Sequence, residues 1–118
     1  GSSYVFGGGD WSPDERADPA RNIFSSDPQR AAIHNAWCLA DPALQVGNVT
    51  FGWVRAALQS CATLKRDLRK APPGIPCLFA LAGEEKLVDN AATRMLAAAI
   101  PGARVLDLPG SMHEILME

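Results

Sequence analysis

No apolar run in this sequence approaches the roughly 20 residues that a membrane-spanning helix needs. The longest, around Ile75–Ala82, has the length of a strand. Positive charge is not in excess either: 11 Lys and Arg stand against 13 Asp and Glu, a net charge of −2. That balance removes the electrostatic case for nucleic acid or an anionic membrane as partner. Histidine is scarce, with His34 and His113 alone, and Cys38, Cys61 and Cys77 stand far apart without a Cys-x-x-Cys pair. No pair of histidines stands at ligand spacing beside a cysteine pair, so no structural zinc site is expected. The thiols read as buried free cysteines in a reducing compartment. The opening Gly1-Ser2-Ser3-Tyr4 lacks the basic segment and apolar core of a signal peptide. The expectation is a cytoplasmic location, with peripheral association at a membrane as its variant.

What is present is the composition of a globular protein, 47% hydrophobic and 20% charged, in 118 residues that suit one ordinary domain. Residues 1–26 are rich in breakers. Gly7-Gly8-Gly9-Asp10 followed by Trp11-Ser12-Pro13 predicts loop and short turns. A glycine run of this kind could cradle a phosphate, but no strand precedes it and no Gly-Lys-Ser/Thr follows. A first helix is expected from Ser26-Asp27-Pro28 to Ala40, with Ser26 or Asp27 as N-cap and Pro28 at the first helical position. His34 lies within it as a half-buried or surface side chain, and Asp41-Pro42 ends it.

Thr50 caps a second predicted helix, Phe51 to about Lys70. Its residues Phe51, Val54, Leu58, Cys61 and Leu64 repeat at three and four and share one face. Arg55, Lys65, Arg66, Asp67, Arg69 and Lys70 make the other face, and positive charge near the C-terminal end suits the helix dipole. Trp53 stands off the apolar stripe, either facing a substrate or partner or packing on the first helix.

Ala71-Pro72-Pro73-Gly74 is the clearest boundary in the chain. It divides the sequence into a helical region, 1–72, and a C-terminal region, 73–118. Ile75–Ala82 is apolar without alternation, which predicts a strand buried on both faces of a parallel sheet. A loop at Gly83–Lys86 leads to a helix through Ala91–Ile100, capped by Asp89 or Asn90 and stopped by Pro101-Gly102. A second strand, Ala103–Leu108, and the turn Pro109-Gly110-Ser111 follow. This order is one βαβ unit. Two strands cannot bury a strand that is apolar on both sides, so the pattern implies sheet partners from elsewhere in the same protein or from another chain.

Chemistry-bearing residues follow each strand, at the carboxyl ends where open α/β sheets place their sites. Glu85 comes after the first, and His113, 28 residues later, after the second. Parallel neighbours lie about 4.8 Å apart, so loops leaving the same end can meet. A carboxylate there can accept from the imidazole Nδ1–H and leave Nε2 as a base.

Gly83-Glu84-Glu85-Lys86-Leu87-Val88 and Gly110-Ser111-Met112-His113 resemble the acid loop, Gly-x-Asp-x-x-Val, and the histidine loop, Gly-x-x-His, of the α/β-hydrolase superfamily. The longer run Leu81–Thr93 and the segment His113–Glu118 look like its lysophospholipase, monoacylglycerol-lipase and serine-aminopeptidase-like branch. The resemblance implies an α/β fold class: the C-terminal fragment of an α/β-hydrolase, with a helical cap over residues 1–72 and the last βαβ unit of the core over 73–118. It further implies hydrolysis of a carboxylic ester, in a lysophospholipid or monoacylglycerol-like lipid, by the full-length protein. His113 would be base then acid, and Glu85, where the family has aspartate, would orient it, with Asp89 as the fallback acid. Trp53 is the candidate substrate contact of the cap. No metal or organic cofactor is implied. The family's nucleophile elbow, Gly-x-Ser-x-Gly, occurs nowhere in the chain, so the serine would lie in the missing N-terminal part. Ser111 shares a loop with His113 and has no elbow, which removes it as nucleophile. The alternative is a non-catalytic fragment or binding module.

Overall fold

A computed structural model of the chain describes residues 2–13, 22–68 and 70–118. Arg69 of the basic helix face lies outside them. The first helix, α1, runs Pro28–Ala40, and Asp27 is its N-cap, accepting from the amides of Gln29 at 2.8 Å and Arg30 at 3.1 Å. Of the two N-cap candidates the carboxylate takes the role, because Ser26 is engaged elsewhere. A 3-10 turn at Pro42–Leu44 follows, opened by Asp41, whose side chain accepts from the Ala43 amide.

The second helix, α2, spans Phe51–Leu68, and the Thr50 hydroxyl accepts from the Trp53 amide at 3.2 Å, as expected of an N-cap. Its apolar stripe is regular but uncovered: Leu58 is 67% exposed and no α2 residue is buried. This corrects the expectation of three buried thiols. Cys38 on α1 is buried and Cys77 half-buried, but Cys61 lies on the bare α2 stripe and is exposed.

The glycine-rich start folds back on the turn before α2. Tyr4 and Thr50 form an isolated antiparallel bridge, the Val5 amide donates to Val49 O at 3.1 Å, and the Asn48 amide to Gly9 O at 2.9 Å. The Gly9 amide in turn donates to the Asn48 side chain. Gly9 thus spends its amide and its carbonyl on Asn48.

The C-terminal region is the expected βαβ unit. Strand β1 is Leu78–Ala82, α3 is Asn90–Ala98 and β2 is Arg104–Leu108, with β1 and β2 parallel and Ala82 opposite Leu108. β1 starts three residues later than the apolar run suggests. Pro76 has no amide to give a ladder, and pairing begins where the Arg104 amide donates to Cys77 O at 2.9 Å. Leu81, Ala82, Ala97 and Ile100 are the buried side chains of this unit. The strands are not buried on both faces: Leu78 is 63% and Leu106 46% exposed. Two strands and one crossover helix can cover only part of such a sheet, the shortfall foreseen from the apolar run.

Candidate active site

Because β1 and β2 are parallel and end in register at Ala82 and Leu108, the loops that leave them start side by side. Two backbone bonds hold these loops together. The Gly83 amide donates to Leu108 O and the Glu84 amide to Ser111 O, each at 2.9 Å. Gly83 permits the approach, since a Cβ there would lie 3.0 Å from Pro109 Cα and 3.1 Å from Gly110 N. Gly110 turns the second loop at φ +82°, a conformation that costs other residues more than glycine.

Glu85 and His113 meet between these loops. The His113 Nδ1–H donates to Glu85 Oε2 at 2.8 Å, with Oε1 at 3.0 Å. Oε1 also accepts from the amides of Leu87 at 2.6 Å and Val88 at 3.2 Å. The Glu85 side chain is 6% exposed and that of His113 33%. Burial opposes ionisation of Glu85, but the Leu87 amide, the His113 ring and the Val88 amide outweigh it and hold the carboxyl below the ordinary carboxylate range. An ionised carboxylate only accepts, which places the ring proton on Nδ1 and leaves the Nε2 lone pair free to act as a base.

Asp89 is not part of this pair. Its carboxylate caps α3, accepting from Ala91 at 2.8 Å and Ala92 at 3.2 Å. The neighbouring Asn90 ties the same helix start to β1 by donating to Ala82 O at 2.8 Å. His34 is itself exposed but sits one turn before the buried Cys38 on α1, with Nε2 3.5 Å from its sulfur. Among the described residues no three His, Cys, Asp or Glu side chains converge as a metal site would require.

The histidine loop is also anchored to the chain just before α1, which sequence spacing did not reveal. The Glu114 amide donates to Phe24 O at 2.7 Å, and the buried Ser25 hydroxyl to Met117 O at 2.6 Å. Beside this seam lies a cleft of about 460 Å³ whose lining includes Val5, Trp11, Phe24, Val46, Val49 and Leu87. Leu87 also gives its amide to Glu85, and Phe24 gives its carbonyl to the residue after His113, so the cleft abuts both loops. Trp53 is not in its lining and is 60% exposed on α2.

Residues 13–118 match the hydrolase family described as serine aminopeptidase, S33. The chain belongs to that family. It is 32% identical to the probable lysophospholipase L2 of Haemophilus influenzae over 118 residues, which are 100% of this chain and 36% of that protein. It is 31% identical to the lysophospholipase L2 of Escherichia coli over 123 positions, 98% of this chain and 34% of that protein. The chain therefore spans about a third of the length of the curated relatives it matches. No solved structure matches it. In this hydrolase family the three helices and the parallel strand pair are a fragment of an α/β-hydrolase fold. No helix among the described residues is long and apolar enough to cross a membrane.

Proposed function

We propose that the full-length protein is a serine hydrolase that cleaves the carboxylic ester of a lysophospholipid or monoacylglycerol-like lipid, and that this chain supplies its acid and its base. Residues 1–72 would be the helical cap and 73–118 the last βαβ unit of the core. His113 Nε2 takes the proton of a serine hydroxyl as that oxygen attacks the ester carbonyl, and returns it to the leaving alcohol. Water then repeats the sequence on the acyl-enzyme. Glu85 fixes the tautomer and steadies the imidazolium that forms at each step. The serine comes from residues outside this chain.

One observation carries this reading: the buried Glu85 carboxylate lies 2.8 Å from His113 Nδ1 where two parallel strands end. The names of the relatives supply the lipid class. The cleft lined by Phe24 and Leu87, which are bonded to the two loops, has apolar side chains that suit an acyl chain. Because the 118 residues hold no Gly-x-Ser-x-Gly, this chain by itself hydrolyses no ester and can only complete a site. The test is fatty-acid release from a lysophospholipid by the full-length protein and its His113→Ala variant. Turnover is expected from the first and a loss of about six orders of magnitude in kcat in the second. Equal turnover by both sinks the assignment.

A further inference from the structure

The carboxylate of Glu118 makes no contact with the Glu85–His113 pair, yet it is committed to the loop that carries the histidine. Its Oε1 accepts from the Met112 amide at 2.6 Å. The Ser26 amide lies 3.1 Å from both of its oxygens, and the Ser26 hydroxyl donates to Oε2. The Ser26 hydroxyl and the Met112 amide hold the Glu118 carboxyl below the ordinary carboxylate range, as befits an ion with only donors around it. One carboxylate therefore closes the loop on itself, from Met112 to Glu118, and fastens it to the residue preceding the Asp27 cap of α1.

The consequence falls on His113. Glu118 holds the amide of Met112, the residue before His113, and Phe24 O holds the amide of Glu114, the residue after it, at 2.7 Å. Its ring is held by Glu85. A histidine on a short turn has two backbone torsions and two side-chain torsions to lose. Glu85 restrains the ring but not the backbone of the turn that carries it. We infer that Glu118 is a positioning residue for His113: it fixes the backbone of the histidine loop and makes the direction of Nε2 depend on the docking of the segment that starts α1. This rests on the catalytic role proposed for His113.

The experiment compares Glu118→Ala, Glu118→Asp and Glu118→Gln in the full-length protein, with His113→Ala in the same assay. Glu118→Ala should lower kcat roughly 10- to 100-fold with little change in KM, the scale on which small misplacements of catalytic groups act. The Nδ1 proton resonance of His113 should weaken or broaden as the ring samples other directions. Glu118→Gln keeps one oxygen for Met112 and an amide that can donate to the Ser26 hydroxyl, so it should recover most of the rate. Glu118→Asp keeps the charge but is one methylene short of spanning Met112 and Ser26, and should be slow. It also provides the reading should the alanine variant not fold. A folded Glu118→Asp or Glu118→Ala with wild-type kcat, or a loss that only follows the unfolded fraction, overturns the inference. If His113→Ala retains turnover, the proposed function itself fails. If His113→Ala is inactive while Glu118→Ala is fully active, only the positioning role fails.

Discussion

Gly83→Ala tests whether close packing of the two loops is what assembles the pair. The added Cβ would stand 3.0 Å from Pro109 Cα, 3.1 Å from Gly110 N and 3.2 Å from Leu108 O, where ordinary contact begins at 3.4 Å. All three neighbours are backbone, so no side chain can swing away, and the histidine turn must retreat by a few tenths of an ångström. That retreat lengthens the Gly83–Leu108 and Glu84–Ser111 bonds, both 2.9 Å, and draws His113 from Glu85. Overpacking of this kind costs about 1–3 kcal/mol. A shift at the pair should lower kcat by roughly tenfold or more, with KM little changed. Denaturant unfolding and steady-state hydrolysis by the full-length protein read both effects. Gly74→Ala is the control, because nothing lies within 4 Å of a Cβ there. Wild-type stability and wild-type kcat in Gly83→Ala would refute the argument.

Asp89 and Glu85 should separate cleanly by mutation. Asp89→Ala loses the α3 cap and about 0.5–2 kcal/mol of stability but leaves kcat unchanged, and Asp89→Asn restores the cap. A large kcat loss in both would instead make Asp89 the acid. The depressed pKa of Glu85 fixes the sign of a pH effect. Its contribution to stability is complete above the ordinary value of 4.5 and is lost as pH falls through the lower folded value. Urea unfolding at neutral pH and below 4.5 should therefore show a smaller acid loss in Glu85→Ala than in the wild type, and equal losses would remove the coupling.

How much of this was legible depended on range along the chain. The Asp89 cap, the Thr50 cap and the βαβ order are written in neighbouring residues, and each lies within a residue or two of where the pattern placed it. Hydrophobicity alone extends β1 back to Ile75 and Pro76, but the missing proline amide decides where the ladder starts. Glu85 and His113 were reachable because one crossover brings two parallel strand ends together. The seam from Phe24–Ser26 to Glu114–Glu118 was not, because its bonds join residues up to 92 positions apart and no periodicity marks them. The exposure of Leu58, Cys61 and Leu106 was hidden for a different reason. Periodicity says which face is apolar and nothing of what covers it, and the chain spans only a third of its relatives.

Covalent trapping reports whether His113 and Glu85 activate a serine that lies outside these 118 residues. A fluorophosphonate reacts with a serine whose proton a neighbouring base removes. The full-length protein should gain the mass of one phosphonyl group, on a serine within a Gly-x-Ser-x-Gly that precedes Gly1. His113→Ala should stay unmodified, and Glu85→Ala should react far more slowly than the wild type. Modification of His113→Ala at the wild-type rate, or none of the wild-type protein, would contradict the account.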